Sequence, residues 1–68
     1  MDSLQFPRSL VYRALPPGSY VPSDEDLGGP LRLLWLNHLL LKLGPLRESS
    51  ETARVAFDLL EELTRSAT

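Results

Sequence analysis

The chain has 68 residues, a net charge of −2 and no cysteine. A chain of this length forms at most one domain, and the lack of cysteine excludes disulfides and thiolate metal sites. Its seven cations are scattered along the sequence, which argues against nucleic acid as a partner. Small domains without disulfides or a structural metal commonly gain stability by oligomerising, so the composition favours a homodimer or higher oligomer.

Residues 1–29 form a proline- and glycine-rich arm, in which regular structure has to be short. Apolar residues at three- and four-residue spacing predict a short helix at 7–15, although the same stretch also alternates well enough for a strand. We expect residues 16–23 to be extended and polyproline-like, and residues 16–29 to be non-helical. Residues 1–9 lack a basic stretch followed by an apolar run, so we expect no signal peptide and an intracellular, cytoplasmic or nuclear location.

The arm also contains a hydroxyl followed by three carboxylates, from Ser23 to Asp26. This pattern suits an acid-directed protein kinase, so Ser23 is a candidate phosphorylation site. A solvated linker that leads into a helix is the more common explanation of such a charge run.

Residues 30–43 are leucine-rich and contain no β-branched residue, which predicts a helix. Pro30 suits the first helical position, and Gly44 followed by Pro45 predicts a helix end with glycine in the left-handed conformation. The run is apolar around nearly its whole circumference, as is typical of a buried helix. Its fourteen residues span roughly 21 Å, short of the ~30 Å hydrocarbon core, which argues against a membrane span.

A second helix is predicted from residue 46 or 50 to residue 66, capped by Ser49 or Ser50 and amphipathic. A short connector joins the two helices, so the predicted fold is all-α, with a helical hairpin at 30–68 behind the arm. One amphipathic helix can shield only one side of the 30–43 helix. A second copy of the chain would cover the rest.

The predicted interface between copies consists of apolar side chains from both helices, with Trp35 as an aromatic anchor. These residues are Leu33, Trp35, Leu36, Leu39, Leu40, Leu43, Leu59 and Leu63. The run Leu36-Asn-His-Leu-Leu40 also fits an LxxLL docking motif, and the leucine spacing resembles a nuclear export signal. A core helix or self-interface explains so leucine-rich a run more simply.

Residues able to carry out catalysis are not apparent. His38 is the single histidine and has no acidic partner nearby in sequence, and no glycine-rich loop has phosphate-binding spacing. We therefore expect no enzymatic activity, no cofactor and no metal.

The functional expectation is a non-enzymatic module for oligomerisation and protein interaction. Leucine occurs sixteen times and arginine outnumbers lysine six to one, a bias towards residues with many codons. Overlapping reading frames produce this bias, which suggests a small viral accessory protein acting on host proteins; a GC-rich genome explains it equally well. The alternatives are a subunit or adaptor of a cellular complex that docks through the 30–43 helix and, less favoured, a membrane-associated helical protein.

Overall fold

The structure, a computed structural model, describes residues 6–67; the first five residues of the predicted arm and Thr68 lie outside this range. The described chain is all-α, as predicted. Its elements are α1 (Arg8–Ala14), α2 (Asp24–Gly28), α3 (Arg32–Leu43), a 3₁₀ turn (Pro45–Glu48) and α4 (Glu51–Ala67).

Helix α1 confirms the short helix predicted at 7–15 and excludes the strand alternative for this stretch. It begins after Pro7, whose carbonyl accepts a hydrogen bond from the backbone N–H of Val11 at 3.0 Å. Val11 and Leu15 are buried, and α1 packs against α4. The proline-rich part of the chain therefore supplies part of the core.

A tight turn at Pro16–Ser19 corrects the prediction of an extended segment. The backbone N–H of Ser19 donates to the Pro16 carbonyl at 3.2 Å. Gly18 has φ +87°, the left-handed value that the third residue of a type II turn requires, and Pro17 occupies the preceding position that proline favours. The chain reverses here because Pro17 and Gly18 fix these two conformations.

Helix α2 is a second correction, since residues 16–29 were predicted to be non-helical. Ser23 is its N-cap: the Ser23 hydroxyl accepts from the Asp26 N–H at 3.2 Å, and the Asp26 carboxylate accepts from the Ser23 N–H at 3.1 Å. This reciprocal pair is a capping box, which satisfies two backbone donors at a helix start. Three acidic residues in the first turn also suit the positive end of the helix dipole.

Helix α3 follows α2 after a corner that Arg32 stabilises. The Arg32 guanidinium donates to the Leu27 carbonyl at 3.0 Å and so satisfies a backbone acceptor at the end of α2. Helix α3 begins at Arg32, two residues later than predicted, so Pro30 precedes the helix and does not occupy its first position. Helix boundaries commonly vary by this amount.

The predicted left-handed cap at Gly44 is wrong. Gly44 has φ −49° and ψ −55°, which is right-handed helical, and its N–H donates to the Leu40 carbonyl at 2.9 Å. Proline disfavours the helical conformation in the residue before it, partly by a clash with that residue's Cβ. Gly44 has no Cβ, so α3 can run directly into the 3₁₀ turn that begins at Pro45.

Helix α4 begins as predicted, with the Ser50 hydroxyl accepting from the Ala53 N–H at 3.2 Å. It packs against both α1 and α3. The core formed by these contacts draws on both the predicted arm and the predicted hairpin. It consists of Val11, Leu15, Leu27, Leu36, Leu39, Leu43, Ala53, Ala56, Leu60 and Leu63.

Candidate interaction surface

The structure divides the eight residues of the predicted interface between the core and the surface. Leu36, Leu39, Leu43 and Leu63 are buried, Trp35 and Leu40 are half-buried, and Leu33 and Leu59 are each 37% exposed. The four buried leucines hold a single chain together, so a partner has no access to them while the chain is folded. The accessible apolar surface of α3 lies on its other side.

That surface is an exposed stripe of side chains along α3. Leu31 is 55% exposed, Leu34 is 63% exposed and Leu41 is 77% exposed. Together with His38 they are spaced three, four and three residues apart, which places them on one face of a helix. We call Leu31, Leu34, His38 and Leu41 the leucine stripe. None of its four members was part of the predicted interface, and His38 was considered only as an isolated histidine.

Trp35 forms the edge of the leucine stripe. Together with Leu31, Leu34 and His38 it lines an open groove of about 380 Å³. The His38 ring meets the Trp35 ring edge-on, with centroids 6.0 Å apart and an interplanar angle of 85°. Trp35 is therefore held between the core and the exposed stripe, and its ring forms part of the groove wall.

The Tyr20 ring also contacts the Trp35 ring. The Tyr20 hydroxyl donates to Oδ2 of Asp26 at 2.6 Å. This hydrogen bond, followed by the one from the Ser23 N–H, lowers the pKa of Asp26. The same hydrogen bond raises the pKa of the Tyr20 hydroxyl, because the bond stabilises its protonated form. Tyr20 thus connects the segment before α2 with two helices. Its hydroxyl is hydrogen-bonded to Asp26 of α2, and its ring contacts Trp35 of α3.

The two ends of the leucine stripe carry opposite charge. Glu25 and Asp26 line a small groove together with Leu31 and Trp35, at the start of α3. Lys42 follows Leu41 at the other end and is exposed. Arg32 follows Leu31, but the carboxylates of Glu25 and Asp26 outnumber its single charge, so the stripe runs from a net acidic end to a basic end.

The docking motifs found in the sequence lie mostly in the core. Leu36 and Leu39, two of the three leucines in the LxxLL-like run, are buried, and the export-like spacing uses the same two residues. A partner groove could receive them only after α3 had left the core.

Ser23, the candidate phosphorylation site, is exposed, and its hydroxyl caps α2. Phosphorylation at this position stays a prediction.

Among residues 6–67, no group of three or more histidine, cysteine or acidic side chains is placed to hold a metal ion. In the same range, none of the helices combines the length and the apolar character needed to cross a bilayer. No protein-family model, curated protein sequence or solved structure matches this chain.

Proposed function

We propose that this chain is a non-enzymatic interaction module that self-associates by burying the leucine stripe of α3. The observation that carries the proposal is the exposure of Leu31, Leu34 and Leu41 on one face of a helix whose other face lies in the core. Single exposed leucines are ordinary on protein surfaces. A contiguous apolar face beside an aromatic ring is a feature of surfaces that bind other proteins.

The size of the hydrophobic effect supports burial of this face. Full burial of a leucine side chain is worth roughly 1.5–3 kcal/mol. A domain of this size has a total stability of about 3–5 kcal/mol from its own core. Three exposed leucines therefore represent a stabilisation comparable to that of the fold. Association itself costs about 4–15 kcal/mol in lost rotational and translational freedom, so we expect reversible self-association.

In this proposal α3, the 3₁₀ turn and α4 act as a helical hairpin that presents the stripe. The packing of α3 against α4 supports it, because the α3 leucines that are buried in the core are not members of the stripe. The burial of Leu36, Leu39 and Leu43 keeps the stripe facing outward. The viral origin suggested by composition stays a prediction from the sequence.

A different protein is the alternative partner for the same surface. Spacing of three, four and three residues is the pattern that groove-binding helices present to their partners. In that case the stripe of Leu31, Leu34 and Leu41 would enter a hydrophobic groove on the partner. The LxxLL-like run would stay in the core.

Light scattering after size exclusion tests the proposal on three chains. We expect the wild type to show a mass above the 7.6 kDa of one chain, rising with concentration. The double variant Leu34→Gln/Leu41→Gln should have the mass of a monomer and an unchanged helical circular dichroism spectrum. Tyr12→Gln, which alters an exposed aromatic residue on α1, should behave as the wild type. A double variant that keeps the wild-type mass would rule out the stripe as the interface.

A further inference from the structure

We infer that two copies pair with their α3 helices antiparallel, so that Glu25 of one copy faces Lys42 of the other. This inference rests on the proposed self-association and specifies its geometry. The spacing of the stripe reads the same in both directions, three, four and three residues. Reversing one helix therefore places Leu31 opposite Leu41 and Leu34 opposite His38.

Charge distinguishes the antiparallel arrangement from the parallel one. Glu25 and Asp26 lie beside Leu31, whereas Lys42 lies beside Leu41. In a parallel pair the acidic ends would meet each other and the two Lys42 side chains would also meet, and both contacts are repulsive. In an antiparallel pair each acidic end meets a basic end, and the dipoles of the two helices are also opposed.

Glu25 is the acidic residue of α2 that is available for such a contact. Asp24 pairs with the Arg8 guanidinium at 2.7 Å, and Asp26 accepts hydrogen bonds from Tyr20 and Ser23. In the described part of the chain Glu25 makes no ion pair, and the same holds for Lys42. Glu25 and Lys42 are thus exposed and free of ion pairs within the described residues, at opposite ends of the same surface.

Exposed ion pairs contribute little binding energy, because water screens both charges. Their effect here is to select one orientation and to reject the other, while the leucines supply the affinity. His38 is also accommodated, since the antiparallel pair places it against Leu34 of the other copy. A parallel pair would place the two histidines against each other.

Cysteine cross-linking in the full chain tests the orientation directly, because the native sequence contains no cysteine. Leu31→Cys and Leu41→Cys chains are prepared separately, mixed, oxidised and analysed by mass spectrometry. We expect the mixed 31–41 disulfide to exceed both homodimers, since the two positions face each other. Dominant 31–31 and 41–41 homodimers, or no mixed product from chains that still self-associate, would overturn the antiparallel pairing and leave the proposed function standing. A wild-type chain that stays monomeric would overturn both.

Charge reversal provides a second test that leaves the stripe intact. Glu25→Lys and Lys42→Glu should each weaken self-association by about two- to five-fold. The double variant should restore the wild-type affinity, because the two charges have exchanged places. Glu61→Lys, an exposed position on α4, is the matched control and should have no effect. Single variants that associate as well as the wild type, or better, would contradict the antiparallel pairing.

Discussion

The Tyr20 ring packs against the Trp35 ring with centroids 5.3 Å apart and an interplanar angle of 42°. The Tyr20 hydroxyl is at the same time hydrogen-bonded to Asp26. One side chain therefore connects the segment after the Pro16–Ser19 turn with α2 and with the edge of the leucine stripe. Because Trp35 is the only tryptophan in the sequence, its fluorescence reports on this contact.

Tyr20→Phe keeps the ring and removes the hydroxyl, so it should separate the two contacts. We expect the pKa of Asp26 to rise towards its ordinary value, because the hydrogen bond is the main cause of its lowering. Trp35 fluorescence should change little in Tyr20→Phe and shift to longer wavelength in Tyr20→Ala, which exposes the indole. Carboxyl NMR titration checks the first outcome, and Tyr12→Phe is the control. An unchanged Asp26 titration in Tyr20→Phe would contradict the assigned hydrogen bond.

The same pair sets a pH dependence of stability with a defined sign. The folded-state pKa of Asp26 is lowered, so its contribution is fully present above the ordinary value of 3.8 and is lost as pH falls through the lowered pKa. The pKa of Tyr20 is raised, so its contribution is present below 10.0 and is lost as pH rises through the raised pKa. Thermal denaturation at a series of pH values should show a smaller loss in acid for Tyr20→Phe than for the wild type.

Replacing a leucine by alanine on the buried or on the exposed side of α3 should affect different properties. The buried position should change the free energy of unfolding, and the exposed position should change self-association. Leu39 is buried, so Leu39→Ala should reduce the free energy of unfolding by about 2–5 kcal/mol. Leu41 is exposed, so Leu41→Ala should change the stability of the dilute monomer by less than about 0.5 kcal/mol and should weaken self-association. Denaturant titration at low concentration measures the first effect and sedimentation measures the second. Equal destabilisation by the two variants would show that α3 does not have one inner and one outer face.

Substitution of Val11 tests whether α1 contributes to the hydrophobic core. Its side chain is buried between α1 and the rest of the molecule, so Val11→Ala should lower the free energy of unfolding by roughly 1–3 kcal/mol. The neighbouring Tyr12 is exposed, and Tyr12→Ala should have little effect. Thermal denaturation followed by circular dichroism compares the two. If both variants melt at the wild-type temperature, the N-terminal segment does not stabilise the fold.

Substitution of Ser23 tests whether the capping box stabilises α2. Ser23→Ala removes the acceptor of the Asp26 N–H and should cost about 0.5–2 kcal/mol of local or global stability. Ser23→Asp should preserve α2, because aspartate is an equally good N-cap. Amide hydrogen exchange in residues 24–28 measures the effect, with Ser9→Ala on α1 as the control. Exchange in Ser23→Ala that matches the wild type would show that the cap does not hold α2.

Helix starts and ends could be predicted where proline, glycine or a capping serine marks them. Which face of α3 is buried could not be predicted from the sequence. Prolines and capping serines predicted α1, α3 and α4, because they act locally. The capping box at Ser23 is just as local, but the prediction treated Ser23–Asp26 only as a solvated linker with a candidate phosphorylation site. Leu34 and Leu36 cannot be told apart by periodicity, since leucines occur on both sides of α3. Packing of α2 and α4 against α3 decides which of the two is buried, and the packing of α4 depends on contacts distant in sequence.

Sedimentation equilibrium of the wild-type chain measures self-association without any substitution, and burial of the leucine stripe requires a second molecule. We expect the weight-average mass to rise above 7.6 kDa as concentration increases through the micromolar range, and to fall back reversibly on dilution. A chain that remains helical and keeps the mass of a single copy at high micromolar concentration would contradict self-association through α3.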